Sequence, residues 1–151
     1  MNGVAEEEPI PHRIHDRLGF VVRVAGEPLR IEFVHYDFDW VEPPLRRYDG
    51  LRVDGLRDIL ANKLSAVIER TDPKDYADLL FLLQRTPLTI EQGIEDCKAK
   101  FGWPGLGHLL QTALLRVDDL SGWPETDPIT SVDEARTFFR GLVKTLARSS
   151  I

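Results

Sequence analysis

The sequence predicts an α+β fold in which an antiparallel hairpin precedes a bundle of about five helices. Three observations carry that prediction. Up to residue 53 the β-branched and aromatic residues recur with a period of two around Gly and Pro, and after Asp54 the apolar residues recur with a period of about 3.6. Capping residues also stand at the head of the periodic runs, at Asp54, Asp72, Thr89 and Ser131. With 151 residues, 42% hydrophobic and 29% charged, the chain is long enough to bury one core and short for two ordinary domains. Residues 1–151 are therefore expected to form one folded unit, with 1–18 a lead-in, 19–53 a partial sheet and 54–151 the helical part.

The first eleven residues hold three consecutive glutamates and two prolines and read as a loosely packed lead-in. From Phe20 the run Phe-Val-Val-Arg-Val, the turn Ala25-Gly26-Glu27-Pro28 and the run Leu-Arg-Ile-Glu-Phe-Val-His-Tyr from Leu29 predict a hairpin. Alternation puts Leu29, Ile31 and Phe33 on one face of the second strand and Arg30, Glu32 and Val34 on the other. Pro43-Pro44 closes this region, and Leu51-Arg52-Val53 adds a short strand.

The first helix is expected over residues 55–70 behind an Asp54 cap, and the second from Pro73, a favoured first helical position, behind Asp72. Leu79 to Leu83 is apolar on every side, which predicts a helix central to the core. The third helix starts at Thr89, with Gln92 as its capping-box partner, and stops near Gly102. The fourth spans residues 106–117, and the fifth runs from Ser131, with Glu134 as partner, towards Arg148. Trp103 and Trp123 read as anchors that fasten loops to the helices, and the spacing of Phe138, Phe139, Leu142, Val143 and Leu146 reads as core or as an oligomer face.

A formal charge of −6 disfavours a protein whose whole surface grips nucleic acid, because phosphate binding draws on clustered Lys and Arg. A single cysteine, Cys97, excludes an internal disulfide and a cysteine-based zinc site. No apolar run approaches the roughly 20 residues that span a bilayer, and the acidic amino end does not resemble a signal peptide, so a soluble cytoplasmic protein without a membrane contact is expected. His12 and His15, three apart on a short helix, read as exposed residues, and His108 as a helix-start residue.

The first helix contains one anomaly. Lys63 lies within the apolar stripe of Leu56, Ile59, Leu60, Leu64 and Val67. Either its stem packs while the ammonium snorkels to solvent, or the ammonium meets an acidic partner or a ligand. Arg70 follows about 10 Å along the axis, at about 1.5 Å per residue. Lys74, Asp75 and Asp78 open the next helix, with the two carboxylates three residues apart on one side. Basic and acidic groups therefore converge on one helical corner.

The pattern Lys63, six residues, Arg70-Thr-Asp-Pro-Lys74-Asp75-Tyr-Ala-Asp78-Leu79 resembles the signature of the AbiEii/AbiGii toxin family of nucleotidyltransferases. Leu29 to Val34 resembles the family's preceding strand, and the likeness covers residues 19–84, being carried best by 51–84. It implies a nucleotidyltransferase fold, so that the hairpin would be part of that fold's sheet, and transfer of a nucleotide from a nucleoside triphosphate to an acceptor such as RNA. It implies catalytic roles for Lys63, Asp75 and Asp78, nucleotide binding by Lys63, Arg70 and Lys74, and Mg²⁺ as cofactor with Glu32 as a third carboxylate. Glu32 reads equally as an exposed strand residue paired with a neighbouring cation. A cognate antitoxin and a homo-oligomer are the implied partners.

The family's Gly-Ser and Asp-x-Asp elements, which hold the metal, should stand before the Gly19 strand, where none of the 18 residues matches. Asp37-Phe38-Asp39 has the Asp-x-Asp form but follows a strand and reads as a turn. The chain is thus expected to be truncated or mis-started and to lack a competent metal site alone. The rival expectation is a non-catalytic binding or assembly module that pairs with another chain through the edge and apolar surface of its partial sheet.

Overall fold

The computed structural model describes residues 12–14, 17–47, 50–125 and 130–148. The fold is α+β, with five strands, five α-helices and one 3₁₀ turn among those residues. They fall into two compact units, one ending at Phe38 and the other starting at Asp39.

The first unit is a three-stranded antiparallel sheet in the order β1 (His12–Ile14), β2 (Arg17–Val24), β3 (Glu27–Val34). The expected hairpin is β2 and β3, but its turn is only two residues. Ala25 and Gly26 both take positive φ, 51° and 84°, the backbone that lets the twist of a two-residue turn match that of its strands. Glu27 and Pro28, expected in the turn, therefore belong to β3, where Pro28 sits opposite Arg23 on an edge strand that tolerates its missing N–H. The register pairs Leu18 with Phe33, Phe20 with Ile31 and Val22 with Leu29, so one face is wholly apolar over these pairs. His12 lies in β1, not in a helix: backbone pairing of β1 with β2 overrides local helical spacing. The lead-in, residues 1–11, and His15 lie outside the described residues.

The second unit opens with a separate two-stranded sheet, β4 (Leu45–Arg47) and β5 (Leu51–Val53), so the strands within residues 19–53 are divided between two sheets. The helices follow as α1 (Leu56–Glu69), α2 (Pro73–Arg85), α3 (Ile90–Phe101), α4 (Leu106–Leu115) and α5 (Val132–Arg148), with a 3₁₀ turn at Arg116–Asp119. The core is helical. Leu60, Leu64 and Val67 of α1, Tyr76, Leu79 and Leu80 of α2, Leu110 and Leu114 of α4 and Phe139 of α5 are fully enclosed. Each such aliphatic side chain stabilises the fold by roughly 1.5–3 kcal/mol on leaving water. Phe81 is the exception in the α2 apolar run, 44% exposed on the outer side.

Local chemistry sets most helix ends. Asp72 accepts from the Lys74 N–H ahead of Pro73, the Thr89 hydroxyl accepts from the Gln92 N–H, and Ser131 accepts from the Glu134 N–H. α3 ends on Gly102 in the left-handed conformation, where a Cβ would be unfavourable. Asp54 does not cap α1. Its carboxylate is taken by the Trp40 indole N–H and the Asn62 amide, and Glu42, from the loop before β4, instead accepts from the Arg57 N–H. Trp103 and Trp123 pack against the core as expected.

Candidate functional site

The site is assembled where α1 ends and α2 begins. Arg70 is the C-terminal cap of α1, in an extended conformation that turns the chain through Thr71 and Asp72 into Pro73. Lys63 lies two turns back on α1, half-buried along its flank, and Asp75 lies in the first turn of α2 with only 2% of its side chain exposed. The Lys63 ammonium donates to Asp75 Oδ1 at 2.9 Å, and Arg70 Nε donates to Asp75 Oδ2 at 2.7 Å. One buried carboxylate therefore holds both cations side by side. Asp78, one helical turn on and 54% exposed, completes the set at 2.6 Å from the Lys63 ammonium. Lys74 is exposed and makes no ion pair among the described residues.

The charges of Lys63, Arg70, Asp75 and Asp78 cancel. Burial alone would raise the Asp75 pKa, but hydrogen bonds from Arg70 and Lys63 outweigh it and hold the carboxyl below its ordinary range. Burial alone would lower the Lys63 pKa, and its bonds to Asp78 and Asp75 push it above the usual lysine value. The shifts of Lys63, Arg70 and Asp75 all favour their charged forms. Of the Lys63 readings, the ammonium that meets an acidic partner is the one the side chains adopt. Only Nε of Arg70 is used by Asp75, so its two terminal nitrogens make no hydrogen bond among the described residues and face outward on a side chain 53% exposed.

The corner is braced from α4. Tyr76, next to Asp75, donates its hydroxyl to the Ala113 carbonyl at 2.7 Å, and burial raises its pKa. Arg116 donates through Nη2 to the Val67 carbonyl and to the Ile68 carbonyl at 2.8 Å, satisfying orphan acceptors in the last turn of α1. Neither residue was singled out by the sequence, since both reach across 37 to 49 positions of chain.

On the far side of α1 lies a second polar set that the sequence reading missed. Asp58, fully buried, accepts from the backbone N–H groups of Val41 and Glu42 at 2.9 and 3.1 Å and from the Lys100 ammonium at 2.6 Å. Arg57 makes a two-pronged contact with Asp96 of α3, Nε to Oδ2 at 2.9 Å and Nη2 to Oδ1 at 2.5 Å. The available signal was Asp58, Ala61 and Ser65, a stripe of short side chains at helical spacing that marks close approach of another helix.

The other candidates lie in the sheet unit. Glu32 on β3 forms an ion pair with Arg30 at 2.5 Å and lies 3.8 Å from the Arg17 guanidinium of β2, a pairing that engages its carboxylate. Asp37 pairs with His35 at 3.4 Å and is 81% exposed. Among the described residues no group of three or more His, Cys, Asp or Glu is placed to hold a metal ion. The described carboxylates are engaged by cations or dispersed, and they do not fit the Mg²⁺ that the resemblance implies, because that ion requires clustered oxygen ligands in octahedral array. No helix among the described residues is long and apolar enough to cross a membrane.

A family model described as "Nucleotidyl transferase AbiEii toxin, Type IV TA system" matches residues 5–142. The match extends well beyond the 19–84 segment that carries the visible motifs and reaches into α5. No curated protein and no solved structure matches the chain significantly.

Proposed function

The chain belongs to the AbiEii nucleotidyl transferase toxin family, and on that premise we propose that its α1–α2 corner binds the phosphates of a nucleoside triphosphate whose nucleotide is transferred to an acceptor such as RNA. The observation that carries this reading is the bridging of Lys63 and Arg70 by the buried carboxylate of Asp75. A buried carboxylate that fixes two cations in register limits the reorganisation needed when an anion arrives to the movement of the exposed Asp78 carboxylate, and preorganised cations stabilise phosphate charge well.

Each residue has a distinct part. Arg70 offers its terminal nitrogens to phosphate oxygens, a planar fork suited to two-point contact. Lys63 adds a point charge once the exposed Asp78 carboxylate swings away into water, while buried Asp75 keeps the ammonium in place. Lys74 adds charge at the rim. Glu32 and Mg²⁺ enter no step, because the described carboxylates do not form a metal site. The family's description implies an antitoxin as partner.

Calorimetric titration with each nucleoside triphosphate in Mg²⁺ buffer tests the reading. Binding by the wild-type chain that is lost in Lys63→Ala is expected; binding that Lys63→Ala leaves intact, or no binding at all, counts against it.

A second reading, an assembly module, rests on the apolar face of the three-stranded sheet. Leu18, Val24, Leu29 and Phe33 on that face are 37 to 61% exposed, more apolar surface than one sheet layer leaves in water without a partner. Light scattering on the purified chain distinguishes the readings, since a monomer at all concentrations would remove this one.

A further inference from the structure

The β4–β5 hairpin places two like charges directly opposite each other. In its register Arg46 faces Arg52 across the strands, so both guanidinium groups leave the same face. Leu45, Leu51 and Val53 occupy the other face. Neither arginine has a carboxylate within ion-pairing distance among the described residues, whereas Arg17, Arg30, Arg57, Arg70 and Arg140 all do. Directly opposed like charges destabilise a strand pair. In a chain of net charge −6 carboxylate partners are plentiful, so a pair with no carboxylate partner among the described residues is an arrangement that a bound anion would relieve.

One member of the pair, Arg52, is also held in place. The Arg52 guanidinium lies over the Trp40 ring, 4.9 Å from its centroid, which fixes the plane of the fork while leaving its edge donors outward. Trp40 is itself fixed by its indole N–H, which donates to Asp54 Oδ1 at 3.0 Å, and Asp54 Oδ2 accepts from Asn62 of α1 at 3.2 Å. Asp54 thus spends its carboxylate on Trp40 and Asn62 and makes no ion pair with Arg52. A stacked guanidinium, a second one opposite it and no carboxylate paired with either among the described residues form an anion receptor.

We propose that Arg46 and Arg52 clamp a phosphate group, at a site separate from the α1–α2 corner and independent of the role given to Lys63 and Arg70. Two-point donation from guanidinium suits phosphate and carboxylate alike, and phosphate is the anion favoured because the chain belongs to a nucleotidyl transferase family. That phosphate belongs either to a free nucleotide or to the backbone of a nucleic-acid strand, and the two sources are separable by experiment.

The test is the full chain carrying Arg46→Gln and Arg52→Gln together, titrated with a fluorescent methylanthraniloyl ATP and, separately, by anisotropy with a short fluorescein-labelled single-stranded RNA. Arg85→Gln with Arg148→Gln, two exposed arginines of α2 and α5 that form no ion pair among the described residues, removes the same charge elsewhere. Both hairpin positions are exposed, so the double variant keeps its fold and its melting temperature is unchanged or raised. The expected result is affinity about tenfold weaker for one probe, while the control stays within about twofold. Loss confined to the nucleotide assigns the clamp to a free nucleotide. Loss confined to the RNA, with the slope of log K against log salt reduced by about 1.4, assigns it to a phosphodiester backbone. The same loss in a Lys63→Ala background separates the clamp from the corner. The proposal is overturned if the double variant binds both probes as the wild type does, if the wild type binds neither, or if the control loses as much.

Discussion

The Asp58 carboxylate and the Lys100 ammonium meet 2.6 Å apart with side chains 0% and 1% exposed, joining α1 to α3 in the interior. The same carboxylate receives two backbone N–H groups from the loop ahead of β4. A buried pair of this kind adds little net stability over an apolar pair, but losing one partner strands the other charge. Lys100→Met is therefore expected to cost about 3–5 kcal/mol in urea unfolding. A loss below about 1 kcal/mol would mean that water reaches Asp58.

The acid limb of stability follows from the same group and from Asp75. Burial acts to raise both pKa values, but hydrogen bonds from Lys100, Val41 and Glu42 in one case and from Arg70 and Lys63 in the other leave them below the ordinary value. The unfolded chain then binds more protons in acid. Their contribution is fully present above the unfolded pKa of about 3.9 and is lost as pH falls through the lower folded values. Lys63 works in the opposite sense: its raised pKa gives stability that is present below about pH 10.4 and lost as pH rises through the folded value. Urea midpoints measured across the acid range should fall less steeply in Asp58→Asn than in the wild type.

Asp75 and Asp78 both touch Lys63 but should differ in weight. Asp75→Asn removes the bridge between Lys63 and Arg70 and is expected to cost about 1–3 kcal/mol, reduced from the fully buried case because both cations reach solvent. Asp78→Asn, at an exposed carboxylate, should cost under about 1 kcal/mol. Equal losses would show that the bridge is no tighter than a surface pair.

Gly93 of α3 passes so close to α1 that a Cβ there would meet Leu60 Cδ2 and Leu64 Cδ1 at 2.8 Å. Gly93→Ala gains about 1 kcal/mol of helix propensity but forces a packed core apart at a cost of about 1–3 kcal/mol, so the thermal midpoint should drop. A raised midpoint would place slack between α1 and α3.

Cys97 is fully enclosed, and burial raises its thiol pKa to about 11. At pH 8 almost no thiolate is present and no reagent reaches it. Ellman's reagent should leave the native chain unlabelled and react at once in denaturant; rapid native labelling would reveal local opening of α3.

Much of the helical part was legible because caps and periodicity are local. Asp72, Thr89 and Ser131 each satisfy an N–H within three residues, and Gly102 ends α3 where its left-handed backbone is free of steric cost. The Lys63, Asp75 and Arg70 contacts were legible for a related reason, since they span only 12 and 5 residues around one corner. The α1 cap was not. Asp54 had the right chemistry, but Trp40 and Asn62 compete for its oxygens and Glu42 takes the cap from 15 residues away.

Sequence by itself therefore determined the α+β class, the helices and most of their ends, and the charged corner, because each depends on backbone conformation or on side chains within a turn or two. Tertiary structure alone decided that Asp58 would find Lys100, 42 residues on, that Arg116 would brace the end of α1, and that Arg46 would face Arg52. Those pairings depend on which surfaces bury against each other and on strand register, and neither can be read from the periodicity of a single segment.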